Sequence, residues 1–141
     1  SSKQIHPTKD LMLQMDIEGG EYDVLTTASL DVLKRFRIII IEFHDMHYLF
    51  EKNFFNTVTK SFKNILKTHE VVHIHPNNMT YPVTIKGLTI NPLLEITFLR
   101  KDRVKEKKFV TALPHVLDKK NVLSNKEIPL SKEFYFSNDT K

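Results

Sequence analysis

Apolar residues fall along the chain in short blocks with two distinct rhythms. Residues 11–17 (LMLQMDI) form a brief apolar run between Asp10 and Gly19-Gly20, which predicts a buried strand. From Gly20 to about Ala28 the pattern turns helical, with Tyr22, Val24, Leu25 and Ala28 as the packed face. Glu21 and Asp23 fall in the first turn, where the helix dipole favours negative charge. A second helical turn runs through Leu30, Leu33 and Phe36. Residues 37–43 (RIIIIEF) hold four consecutive isoleucines, the pattern of a central strand covered on both faces. Phe50, Phe54, Val58, Phe62, Ile65 and Leu66 then recur at helical spacing, so this stripe is expected to be core. Residues 70–75 (EVVHIH) predict a third strand, stopped by Pro76-Asn77-Asn78. Residues 79–92, with Pro82, Gly87 and Pro92, read as irregular. Residues 93–100 predict a fourth strand, alternating at Leu94, Ile96 and Phe98.

Strands joined by helices imply parallel pairing, so the fold class is α/β. No helix separates the last two strands, so that pair is expected to be antiparallel. Residues 1–99 carry 10 basic against 11 acidic side chains, while residues 100–141 carry 11 against 6. The body is neutral and the end is basic. Residues 9–100 are therefore expected to fold together, followed by an irregular basic C-terminal arm at 101–141 that opens with KDRVKEKK. Phe109, Val110, Leu113, Val116 and Leu117 are candidates to pack back on the body, and Phe134, Tyr135 and Phe136 to anchor the end.

At 141 residues the chain suits one domain or a piece of one. It has no cysteine, which removes disulfides, thiolate metal sites and a cysteine nucleophile. Its apolar runs are too short for a membrane span, and no secretory leader precedes the first strand, so a cytoplasmic protein is expected. The basic run lacks interleaved aromatics, so nucleic acid is not an expected partner. Three glycines are too few for a GxGxxG turn or a P-loop.

Ligands of open α/β sheets bind beyond the C-terminal ends of the strands. Asp16, Glu18, Glu42, His44, His75, Asn77 and Asn78 all fall at such ends. Carboxylates there can bind an amino group, hold a cation, or take a proton from a hydroxyl. Capping and dipole pairing are the structural alternatives for Asp16 and Glu18. The histidines have no HExxH or comparable ligand spacing, so a divalent metal such as Mg²⁺ on the strand-end carboxylates is kept only as the less favoured alternative.

The segment Asp16-Ile17-Glu18-Gly19-Gly20-Glu21 resembles the DxEGxE signature of the FkbM family of S-adenosylmethionine-dependent methyltransferases. Ile41-Glu42-Phe43-His44, His73-Ile74-His75-Pro76-Asn77-Asn78 and Leu94-Glu95-Ile96-Thr97-Phe98 resemble that family's later segments, in order. The resemblance implies the C-terminal half of a class I (Rossmann-like) methyltransferase. Its strands would run in the order 4-5-7-6, with the last in sequence antiparallel and the Gly-rich cofactor turn absent. It further implies O-methylation of a sugar or other small-molecule hydroxyl. Asp16, Glu18, Glu42 and His44 would be catalytic. Asp16, Glu18 and Gly19 would touch the cofactor, and His75, Asn77 and Asn78 the acceptor. The competing expectation is a non-catalytic interaction domain that keeps this fold remnant. The first strand, residues 11–17, would lack a neighbour on one side, which makes pairing with a second copy, or with the chain's own ends, an expectation.

Overall fold

Alternation along the isoleucine run decides the architecture. In β2 (Phe36–Phe43), Ile39, Ile41 and Phe43 are fully buried, whereas Ile38, Ile40 and Glu42 are only partly covered. The computed structural model describes residues 9–108, 110, 113–131 and 134. Within them β1 (Leu11–Met15), α1 (Glu21–Thr27), α2 (Leu30–Leu33), β2, α3 (Lys52–Ile65) and β3 (His69–Pro76) follow the expected order. Two short strands come next, β4 (Val83–Ile85) and β5 (Leu88–Ile90), and then β6 (Leu94–Arg100).

The main sheet runs β1-β2-β6-β3. β1 pairs with β2 in parallel, and β6 is antiparallel to both its neighbours. The chain is thus α/β with a mixed sheet. The expected antiparallel final pair is present, because a strand entered without a crossover helix can only return. β1 lies at the sheet's edge among the described residues.

One face of the sheet carries the core. Met15, Ile39, Ile41, Phe43, Leu94, Ile96 and Phe98 meet Tyr22, Leu25, Leu33, Val58 and Ile65 from the helices. Phe43 contacts Phe62 and Phe98 with ring centroids 4.9 and 6.2 Å apart. Asn64 on α3 donates to the carbonyls of Leu25 and Ala28 and so caps the end of α1 from the side. Ser29 caps α2 by accepting from the Val32 N–H.

Several expectations are corrected. Residues 79–92 contain the β4–β5 hairpin, whose Lys86 and Gly87 have φ of 51° and 81°. Two consecutive left-handed residues make a two-residue turn whose twist suits a hairpin. The long helix is preceded by a 3-10 turn (Met46–Phe50), and Phe50 and Leu66 at the two ends of the expected stripe are exposed, so the buried stripe is shorter than its spacing suggests. Val24, expected on the packed face of α1, is exposed, and Glu21 is buried in its place. In the arm, Leu113 and Phe134 pack against the core, while Val110, Val116 and Leu117 stay exposed. Among the described residues of the arm, Ile128 and Leu130 are the buried hydrophobic ones. The expectations for Phe109, Tyr135 and Phe136 lie outside the described residues. None of the helices among the described residues is long and apolar enough to cross a membrane.

Candidate active site

The turn from β1 into α1 is built around a buried carboxylate. Glu18 and Gly19 both adopt left-handed backbone, with φ of 54° and 98°. A Cβ at Gly19 would meet nothing within 4 Å, so conformation rather than space favours glycine there. Glu18 tolerates this conformation at a cost, the kind of local strain that collects at functional sites. Glu21 follows at the start of α1 with its side chain fully buried. Its Oε2 accepts from the Gly19 N–H at 2.9 Å, and its Oε1 from the His44 N–H at 2.7 Å. One carboxylate therefore ties the end of β1 to the end of β2.

The same Oε1 lies 3.3 Å from His44 Nδ1. A carboxylate only accepts, so Nδ1 carries the hydrogen and Nε2 faces outward. Nε2 lies 3.4 Å from Glu18 Oε2, 3.7 Å from Asp16 Oδ1 and 3.9 Å from Glu42 Oε2. Glu42 Oε1 accepts from Asn77 Nδ2 at the end of β3. The Tyr22 hydroxyl donates to the His44 carbonyl, which fixes the backbone beneath the ring. Burial pushes the Tyr22 hydroxyl far above the ordinary phenol range, helped by the charges of Glu21 and Asp45.

The structure thus brings Asp16, Glu18, Glu42, His44 and Asn77 together, with Gly19 in the adjoining turn. His75 and Asn78 point to other partners. His75 Nε2 lies 3.2 Å from Glu127 Oε1, and both amide atoms of Asn78 bond to the backbone of Val122. Glu21 is the residue that the sequence reading undervalued. Its signal was the third acidic position of the motif, read there as a dipole residue. Asp16, Glu42 and His44 each offer a ligand atom within 4.8 Å of the others, a mixed oxygen and nitrogen set able to hold a divalent ion. On the sheet face away from the core, Gln14, Asp16, Ile40, Glu42, Glu95 and Asn121 enclose a polar cavity of about 150 Å³. At the same strand ends the Asn91 side-chain amide is buried with no hydrogen-bond partner among the described residues.

Comparison with known proteins adds a family. The methyltransferase FkbM domain matches residues 3–72, a stretch that contains β1, the Glu18-Gly19 turn, Glu21, Glu42 and His44. No curated protein and no solved structure matches the chain.

Proposed function

We propose, from the premise that residues 3–72 belong to the FkbM methyltransferase family, that this site serves S-adenosylmethionine-dependent methylation of a hydroxyl on a sugar or other small molecule. The observation that carries the reading is His44, held by buried Glu21 with Nε2 among the strand-end carboxylates of Asp16, Glu18 and Glu42. The order β1-β2-β6-β3 with β6 antiparallel supports treating these strands as the 4-5-7-6 part of a class I methyltransferase.

The residues present fit the cofactor's chemistry. S-adenosylmethionine supplies a methyl group on a cationic sulfonium and carries a cationic amino group. Asp16 and Glu18 are exposed carboxylates beside the left-handed turn, suited to hold such a cation. His44 Nε2, with Nδ1–H anchored on Glu21, accepts the acceptor hydroxyl's proton as the oxygen bonds to the methyl carbon. Bound S-adenosylmethionine would supply the methyl carbon, and loss of its bond to sulfur would balance the new oxygen–methyl bond. Glu42, fixed by Asn77, orients the acceptor through a second hydrogen bond.

Methyl transfer from labelled S-adenosylmethionine to a panel of hydroxyl acceptors tests the assignment. His44→Ala lowers kcat by about 10²–10⁴, the worth of a general base. Asp16→Ala and Glu18→Ala raise the KM for the cofactor. Activity unchanged in all three variants would overturn the site. A second reading is an interaction domain without catalysis that keeps this fold. Calorimetric titration with S-adenosylmethionine separates the two, since an interaction domain gives no binding heat.

A further inference from the structure

A second cavity lies at the opposite end of the sheet, away from the carboxylates and His44. It has a volume of about 430 Å³ and is bounded by Lys34, Lys67, Thr68, Arg100, Lys101 and Asp102. Four cations and one anion line it. They come from three elements that end together: α2 at Lys34, α3 just before Lys67, and β6 at Arg100.

Helix C-termini attract lysines through their exposed carbonyls, and that alone explains many such residues. Here two of the nearby carbonyls are already taken. Arg100 Nη1 donates to the Lys34 carbonyl at 2.7 Å, and the Lys101 N–H to the Thr68 carbonyl at 2.9 Å. The carboxylates are taken as well. Arg100 donates to Asp102 and Asp10, both at 2.7 Å, and Arg103 donates to Asp10 at 2.7 Å. These bonds hold the carboxyls of Asp10 and Asp102 below the usual range and raise the Arg100 guanidinium. Arg100 is therefore a fixed part of the floor. The Lys34 and Lys67 ammonium groups have no carboxylate within ion-pair distance among the described residues, and Lys101 lies 3.9 Å from Glu70. Lys34 and Lys67 thus border one concavity without an internal counterion among the described residues, while Lys101 beside them is paired with Glu70.

We propose that this cavity is an anion site for a phosphate ester or diphosphate. Two unpaired ammonium groups beside the fixed Arg100 guanidinium suit a multiply charged phosphate better than a single carboxylate. The lysine stems give the cavity an apolar lining that leaves room for the ester's organic part. A free phosphoester and a phospholipid headgroup share this chemistry, and the experiment separates them. The site stands apart from the methyl-transfer reading and does not depend on it.

The test is calorimetric titration of the full chain with sodium pyrophosphate at fixed ionic strength. Saturable one-site binding is expected, weakened about tenfold or more in Lys34→Gln/Lys67→Gln, since each charge-assisted contact contributes on that order. Lys52→Gln/Lys60→Gln removes the same charge from the exposed side of α3 and is expected to bind as the parent does. Equal weakening in both pairs, or no saturable binding to the parent, would overturn the proposal. Circular dichroism confirms that each variant is folded. Flotation with phosphatidylserine–phosphatidylcholine vesicles identifies the source. Co-flotation that is lost in Lys34→Gln/Lys67→Gln assigns the headgroup, and pyrophosphate binding without flotation assigns a free phosphoester.

Discussion

Glu21 shows how much a single side chain can organise. Its two oxygens take the Gly19 and His44 N–H groups, and Oε1 also faces the imidazole. Glu21→Gln keeps the shape but turns an NH₂ towards one of these donors. A donor facing a donor in a fully buried position leaves two groups unsatisfied, so the variant is expected to lose about 1–3 kcal/mol in urea unfolding. In the methyl-transfer assay it acts through His44: kcat falls, its pH profile shifts, and the acceptor KM changes little. A variant with wild-type stability and pH profile would show that Glu21 does not position the ring. His69 is buried at the far end of the sheet, with Nδ1 2.8 Å from the Thr68 hydroxyl and Nε2 3.0 Å from the Phe36 carbonyl. Burial is the main cause that lowers its protonation below the usual histidine range. The unfolded chain takes up this proton near about pH 6.5, before the folded protein does. Stability is therefore full above that pH and declines as pH falls towards the lowered folded value. His69→Gln is expected to flatten this part of the melting-temperature profile while lowering it throughout. An unchanged slope would assign the titration to another group.

Elements with a long, clean rhythm could be read from the residues, and those set by backbone conformation could not. The four isoleucines placed β2 at the centre of the sheet, and the alternation of Leu94, Ile96 and Phe98 gave the buried face of β6. The missing helix before β6 gave its direction. The β4–β5 hairpin was hidden because its strands are three residues long and Pro82 and Pro92 flank it. Its signal was Lys86-Gly87 between V-T-I and L-T-I, which matters only once both residues are left-handed. The site divides in the same way. Carboxylates at strand ends were visible as a motif, whereas the inward turn of Glu21 depends on the Glu18-Gly19 backbone. Gly87 makes the point testable. Its φ of 81° sits in open space, so alanine there meets no clash and is disfavoured by backbone conformation alone. Gly87→Ala is expected to destabilise by about 1 kcal/mol, the left-handed penalty. Hydrogen exchange should localise the loss to residues 83–90, and slower exchange there would contradict this origin.

At the scale of the whole molecule, the described part of the basic arm is tied to the sheet by polar clamps as well as by apolar packing. Asp118 Oδ1 lies 2.8 Å from His73 Nε2, Glu127 lies beside His75, and Ile128 and Leu130 are buried. Asn78 is the most committed of these anchors. Its Nδ2 donates to the Val122 carbonyl at 2.9 Å and its Oδ1 accepts from the Val122 N–H at 2.8 Å. Its own carbonyl accepts from Asn125 Nδ2 at 3.0 Å, a bond that survives truncation of the side chain. Asn121 borders the polar cavity beside Asp16 and Glu42, so the clamp on Val122 also sets one wall of the candidate site. Asn78→Ala removes both bonds to the Val122 backbone and a longer one, 3.4 Å, to the Lys126 carbonyl. Each lost bond contributes about 1 kcal/mol, so opening of the arm should become about tenfold or more easier. Limited trypsin digestion reads this directly, because Lys119, Lys120 and Lys126 lie in the clamped stretch and Lys63 and Lys67 lie in the body. Cleavage after the three arm lysines is expected to accelerate while cleavage in the body stays slow. Equal acceleration at both sets would mean that the arm opens only when the whole sheet does, and that Asn78 supports the fold rather than a separable strap.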